Sequence, residues 1–427
     1  LNTLVSDGKM TIPQRNQLLR DMTDDVASHV LRTNYVQNVL LGNARNLGTS
    51  MLGAHDRLMK WLEARGSLNR DLEALPDSDE MRRRAADGEG LTSPEFSVLV
   101  AHAKISLRDD LLDSDLPDDP WFDDVLVEYF PPALAEFPEA IKQHPLRREI
   151  VATALANTIV NRGGITFVQR AMEEMGATPV QVAHAFMVLR EVLGMDEFVR
   201  QVEALDSVLS PQTQTVLYLE YRRLMDSCVR HLLGRRHRLD KVQVEVARYR
   251  DVVAGIAGSL DELLPTEAVE RVRNRSTELE SMGIPPELAR QTARMSYLVA
   301  ALEIVDLAEL DDLDPVDAAE AYFRIAEGLH FDQLLGMLRG LPQEELWDSA
   351  AGSSLRQDLY RLVGSLTSSA MSGNGGNVGE RVAEWSSQRA ADLDSFNSLV
   401  AQLRREKELG LGHAWVLLRD ARRLADR

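Results

Sequence analysis

The chain has 427 residues, with 67 Asp or Glu against 48 Lys or Arg and a formal net charge of −19, which argues against a general binder of nucleic acid or other polyanions. Its single cysteine, Cys228, excludes a disulfide framework and fits a reducing cytoplasm. No charge-free apolar run reaches membrane-spanning length and no signal peptide is present, so a soluble protein without membrane contact is expected.

Aromatics are only 5% of the residues, while Ala, Leu, Glu and Arg abound; this favours an all-α fold with more than one core. Leu1 is not an initiator methionine and the chain opens inside an apolar segment, LNTLVSD. A piece of a larger polypeptide is therefore expected.

Residues 1–70 read as helices joined by short turns. One starts at Ile12-Pro13-Gln14, and another at 22–25, where Thr23 or Asp24 is placed to cap it. The latter carries Val26, Val30, Leu31, Tyr35, Val36, Val39 and Leu40 and is expected to end near Gly42. A third spans about 51–65 and stops at Gly66. Residues 71–91 are charged and turn-rich, and read as a connector and domain boundary.

Thr92-Ser93-Pro94-Glu95 is a strong helix start, because proline suits the first turn and Thr92 with Glu95 has capping-box spacing. Similar punctuation recurs at Asp119-Pro120, Thr178-Pro179, Ser210-Pro211 and Asp314-Pro315, a pattern hard to reconcile with strands. The segment 71–128 holds 17 acidic residues against 5 basic ones. It lacks the central glycine of a calcium loop and reads as a solvated acidic surface.

The stretch 140–170 contains the widest apolar arc. Val151, Leu155 and Ile159, backed by Ile150, Ala152, Ala156 and Val160, predict a core helix over 147–161, ended by Gly163-Gly164. Glu149, Thr153, Asn157 and Asn161 form a polar stripe along it, and Asn157 and Asn161 are expected to be hydrogen-bonded in the core.

Residues 222–250 reverse the charge, with nine Lys or Arg against three Asp or Glu. The run RHLLGRRHR, with His231 and His237, reads as a long helix pairing with the acidic segment or exposing a basic face rather than as an anion or nucleic-acid patch, since few aromatics interleave with it. Three helices are expected over 251–347, with breaks near Pro265, Pro285-Pro286 and Pro315. The helical domain is placed at 92–363, a Gly/Ser-rich flexible loop at 364–379, and a terminal helix pair at 380–427, anchored on the helical domain by Trp385 and Trp415.

No complete catalytic set is legible. The glycine runs at Gly88, Gly373–Gly379 and Gly410 lack the strand that a dinucleotide turn requires, and no Cys/His spacing fits zinc. His102, His144 and His184 read as core or cap residues, and Cys228 has no evident activating partner. Catalytic, cofactor-binding and metal-ligating residues are therefore all expected to be absent from this chain.

The order of segments resembles the C-terminal part of the large bacterial NAD-specific glutamate dehydrogenases. The resemblance rests on MTDDVASHVLRTNYVQNVLL at 22–41, LTSPEFSVLVAHAKI at 91–105 and, most specifically, the HPLRREI, LANTIVNRGG and TF run within 129–177. It implies a parent enzyme that oxidises L-glutamate with NAD⁺ and water to 2-oxoglutarate, ammonium and NADH. It also implies that the nucleotide-binding sheet and catalytic residues lie upstream, with NAD bound outside these positions. Residues 1–70 would close the catalytic region and the rest would be a helical domain in a homo-oligomer. The alternative is a stand-alone helical scaffold or adaptor for another protein.

Overall fold

The computed structural model describes residues 1–234, 239–340, 346–373, 376–405 and 410–424. Among them every regular element is helical and no strand occurs. The chain forms two compact units. The first comprises Leu1–Gln169, Thr178–Met187 and Lys241–Gln243; the second comprises Arg170–Ala177, Val188–Asp240 and Val244–Arg427. The chain passes from one unit to the other five times, at 169–170, 187–188 and 243–244 within the helices Phe167–Met175, Pro179–Val192 and Val242–Gly258, and at 177–178 and 240–241 between helices.

The first unit is built on the packing of Ser93–Leu112 against Arg147–Gly163. Phe96, Leu99, Val100, Leu107 and Leu111 come from one helix and Val151, Ala152, Leu155, Ala156 and Ile159 from the other, all buried. The first helix starts as its sequence dictates. The Glu95 carboxylate accepts the Thr92 backbone N–H at 2.7 Å and Arg84 Nη1 at 2.9 Å. The second ends at Gly163, where the close approach is also the reason for glycine: a Cβ there would lie 2.8 Å from Cγ of Phe167, whose ring packs edge-on against Phe186 at 5.4 Å.

Thr178, Ser210, Asp314 and Asp119 also accept backbone N–H groups at the starts of their helical turns. The cap near residue 22 differs. Thr11 caps Ile12–Asp21 with Gln14 in a capping box, while Thr23 and Asp24 lie inside Thr23–Leu47, which follows with no side-chain cap. That helix runs through Gly42 and stops at Gly48, where φ is +42°.

Several expectations are corrected. The expected connector at 71–91 lies inside the first unit and holds the helix Ser78–Asp87, capped by Asp77. It is packed down by buried Leu75, Met81 and Leu91. Arg70, also buried, ties it in with bonds to Asp56 (2.9 Å), Glu63 (2.9 Å) and the Pro76 carbonyl (3.1 Å). The acidic surface is partly neutralised by the HPLRREI arginines: Arg147 meets Asp123 at 3.1 Å, and Arg148 binds Asp118 and the carbonyls of Leu112 and Ser114. Asn157 and Asn161 are half-buried rather than core residues, because their stripe lies off the side that meets Ser93–Leu112.

In the second unit, Pro286–Asp311 is the hub. It packs on Thr266–Ser281, Pro211–Gly234, Pro315–Gly328 and Leu346–Met371, so apolar residues from Leu288 to Ala308 are buried on several sides. The expected breaks near Pro265, Pro285 and Pro315 are present. The region also holds Val242–Gly258, the short Leu260–Leu263 and Phe331–Arg339, more helices than the three expected.

The expected loop at 364–379 is helical through Met371, at the end of Leu346–Met371, and its Leu366, Thr367 and Ala370 are buried; Asn374 and Gly375 lie outside the described residues. The terminal segment forms Val378–Gln388, Ala390–Leu403 and Leu411–Arg422 instead of a pair. Trp385 is buried there, but Trp415 is 56% exposed, with the Arg419 guanidinium over its ring at 5.6 Å.

Candidate functional site

The residues singled out in the sequence do not converge on one site. His102 donates from Nδ1 to the Ser67 carbonyl at 2.8 Å and places Nε2 3.3 Å from Glu73. His144 accepts the Leu146 N–H at 3.1 Å, closing the turn before the core helix. Cys228 is fully buried in apolar surroundings, and burial pushes its thiol well above the ordinary range, which makes it unreactive. His237 and the RRHR run at 235–238 lie outside the described residues. The neighbouring basic residues pair within the second unit and not with the acidic segment: Arg230 binds Glu174 and Asp226, Arg248 binds Glu309, and Arg250 binds Glu191.

A cavity of about 490 Å³ lies within the second unit. Five helices line it, each through residues on one face. Phe167–Met175 gives Arg170 and Glu174, an i, i+4 pair. Pro211–Gly234 gives Asp226 and Arg230 at the same spacing, with His231 beside them. Leu346–Met371 gives Ser353, Arg356, Gln357, Tyr360 and Arg361. Phe331–Arg339 adds Leu335 and Arg339, and Pro286–Asp311 adds Val299.

The electrostatics of the lining divide it in two. On one side Arg170 is bidentate to Asp226 at 3.1 Å. Arg230 donates Nε–H to Glu174 and meets Asp226 Oδ1 at 3.2 Å, while Ser349 donates to Glu174 at 2.9 Å. Burial would raise both carboxyls. The Arg230 charge at Glu174, and the Arg170 and Arg230 charges at Asp226, more than reverse it and hold both below the usual carboxylate range. His231 is also engaged, with Nε2 3.0 Å from Asp306, whose other oxygen accepts the Tyr249 hydroxyl at 2.8 Å.

On the other side, Arg356 makes no hydrogen bond or ion pair among the described residues, and its Nη1 is buried. Burial, reinforced by the nearby Arg230 charge, lowers its pKa. The Ser353 Oγ and Tyr360 Oη are likewise buried without a protein partner. This polar face was missed in the sequence. Its signal was the spacing Ser353, Arg356, Tyr360 in SSLRQDLYRL, one helical face. The other walls come from four other helices, of which Phe167–Met175 and Pro211–Gly234 lie more than a hundred residues earlier in the chain.

Nothing in this lining forms a nucleophile–base pair or a dinucleotide turn; it is a charged cavity in an all-helical body. The chain belongs to the family described as "Glutamate dehydrogenase, C-terminal", whose model matches residues 88–423. Residues 1–44 match a second model, "Bacterial NAD-glutamate dehydrogenase, catalytic domain".

Among individual relatives, the chain is 36% identical over 408 residues to the NAD-specific glutamate dehydrogenase of Pseudomonas aeruginosa, covering 95% of this chain and 25% of that protein. It is 34% identical over 427 residues to that of Mycobacterium tuberculosis, covering 99% and 26%. It is also 34% identical over 388 residues to that of Halomonas elongata, covering 90% and 24%. The chain thus spans about a quarter of the length of the curated relatives it matches.

Proposed function

We propose that this chain is the non-catalytic C-terminal region of a longer NAD-dependent glutamate dehydrogenase, and that its first helices dock on the catalytic domain of the same polypeptide. The parent would convert L-glutamate, NAD⁺ and water to 2-oxoglutarate, ammonium and NADH, with NAD bound outside this segment. The observation that carries the docking is an uncovered apolar stripe. Ile12 and Leu19, then Val26, Val30 and Leu31 recur at helical spacing and are all exposed, Leu31 at 68%. Thr23–Leu47 buries only Leu40, Asn43 and Ala44, all near its C-terminal end.

Contiguous exposed apolar faces of this kind mark docking surfaces, and this one falls within the residues that match the catalytic-domain model. The helical body beyond it would brace the catalytic domain and supply subunit contacts in a homo-oligomer, leaving the cleft free to open and close.

The test compares glutamate-dependent NADH formation by this chain, by the longer polypeptide that carries it, and by that polypeptide truncated before Thr92. The expected result is an inactive chain, an active parent and a truncated form that is weak or wrongly assembled. Turnover by the chain alone would overturn its non-catalytic role, and full activity with native assembly after truncation would overturn the bracing role.

A further inference from the structure

The cavity carries a charge imbalance that its own carboxylates do not resolve. Glu174 and Asp226 answer Arg170 and Arg230, and Arg223 pairs with Glu220 at 3.1 Å. Arg361 donates Nη2–H to the neutral carbonyl of Gly234 at 2.7 Å. Arg339 and Arg356 meet no carboxylate among the described residues, and neither does Arg361. Three guanidiniums therefore line one cavity with no carboxylate partner among the described residues, Arg356 with its Nη1 buried and Arg339 and Arg361 reaching solvent, in a chain whose net charge is −19.

Two hydroxyls point to the same need. Ser353 is 1% exposed, and its Oγ and the Tyr360 Oη are buried with no protein partner. Burying such groups and a guanidinium without partners is unfavourable, so the arrangement costs stability that a bound anion would return. Val299 and Leu335 give the cavity apolar surface beside this polar face, and its volume lies within the range of about 300–1,000 Å³ typical of small-molecule pockets.

We propose that this cavity binds a small phosphate-bearing metabolite, its phosphoryl oxygens held by Arg339, Arg356 and Arg361 and by the hydroxyls of Ser353 and Tyr360. Guanidinium forks match phosphate oxygens in pairs, both hydroxyls can donate, and three uncompensated positive charges suit a multiply charged phosphoryl group better than a single carboxylate. The body of the metabolite lies against Val299 and Leu335. Because the cavity has no catalytic set, the ligand acts as an effector and is not transformed. This assignment rests on the cavity alone and stands apart from the dehydrogenase reading.

The experiment is titration calorimetry on the whole 427-residue chain at physiological salt, with inorganic pyrophosphate, ADP and, as a dicarboxylate control, 2-oxoglutarate. The expected result is saturable one-site binding of pyrophosphate or ADP, with 2-oxoglutarate weaker by about tenfold or more. Arg356→Gln and Arg339→Gln should each weaken the phosphate ligand by at least about tenfold, the factor carried by one charge-assisted hydrogen bond. Without ligand, Arg356→Gln should hold or raise the unfolding midpoint, because it removes an unpaired charge.

The proposal is overturned if neither phosphate probe binds saturably, if 2-oxoglutarate binds more tightly than both, or if neither substitution changes the affinity. Should Arg356→Gln fail to fold, Arg339→Gln at an exposed position decides the matter.

Discussion

Arg230, only 5% exposed, donates its Nε–H to the carboxylate of Glu174, a residue 56 positions earlier in the chain. This pair joins Phe167–Met175 to Pro211–Gly234, and Ser349 extends it to Leu346–Met371. Removing Glu174 takes one of the two carboxylates from Arg230 and leaves Asp226, 3.2 Å away, to balance both Arg230 and Arg170. Glu174→Gln is expected to lower the unfolding free energy by about 1.5–3 kcal/mol, read from urea denaturation. A loss under about 1 kcal/mol would show that water reaches Arg230 freely.

The same cluster sets an acid limit on stability. Glu174 and Asp226 have folded-state pKa values below their ordinary ones, since the facing arginines outweigh burial. Such groups add stability that is complete above the unfolded pKa and is lost as pH falls through the folded value. The unfolding free energy should therefore be steady down to about pH 5 and fall through and below the ordinary carboxylate range near pH 4. Arg170→Gln should shallow that fall; an unchanged slope would mean that other carboxylates control the acid limb.

Gly163 is held by Phe167, not by its own backbone, since a Cβ there would press into a buried ring. Gly163→Ala should cost about 1–3 kcal/mol through overpacking, despite the better helix propensity of alanine. Thermal unfolding measures it. A stabilised variant would mean that the Phe167–Phe186 pair can shift without loss.

Val30 and Leu31 separate stability from docking. Replacing both with Gln should leave the isolated chain within about 0.5 kcal/mol of its original stability, because both side chains are more than half exposed. In the longer polypeptide the same change should lower glutamate-dependent NADH formation several-fold. Equal activity in both forms would remove the stripe from any part in assembly.

Local chemistry was the legible part of this fold. Thr92, Thr178, Ser210 and Asp314 announce their helices because a cap and the residues it serves lie within one turn. Gly163-Gly164 ends the core helix for the same reason. The helix Ser78–Asp87 escaped notice because only Met81 of its residues is buried and its charges face water. The segment 364–371 read as a linker because of its Gly and Ser content. In the fold these small residues allow close helix packing: a Cβ on Gly364 would fall 2.7 Å from the Glu303 carboxylate, and Thr367 returns its hydroxyl to the Val363 carbonyl. The cavity was least legible, since its faces come from five helices whose juxtaposition no spacing rule encodes.

The passages of the chain between its compact units have a genetic consequence. Residues 178–187 and 241–243 belong with Leu1–Gln169, yet they are encoded after the second unit has begun. No single stop codon, splice or protease nick can therefore release either unit whole. An internal deletion confined to either segment removes part of the first unit while leaving the second intact. During synthesis the first unit is complete only after residue 243 has emerged, when residues 170–177 and 188–240 of the second unit have already been made.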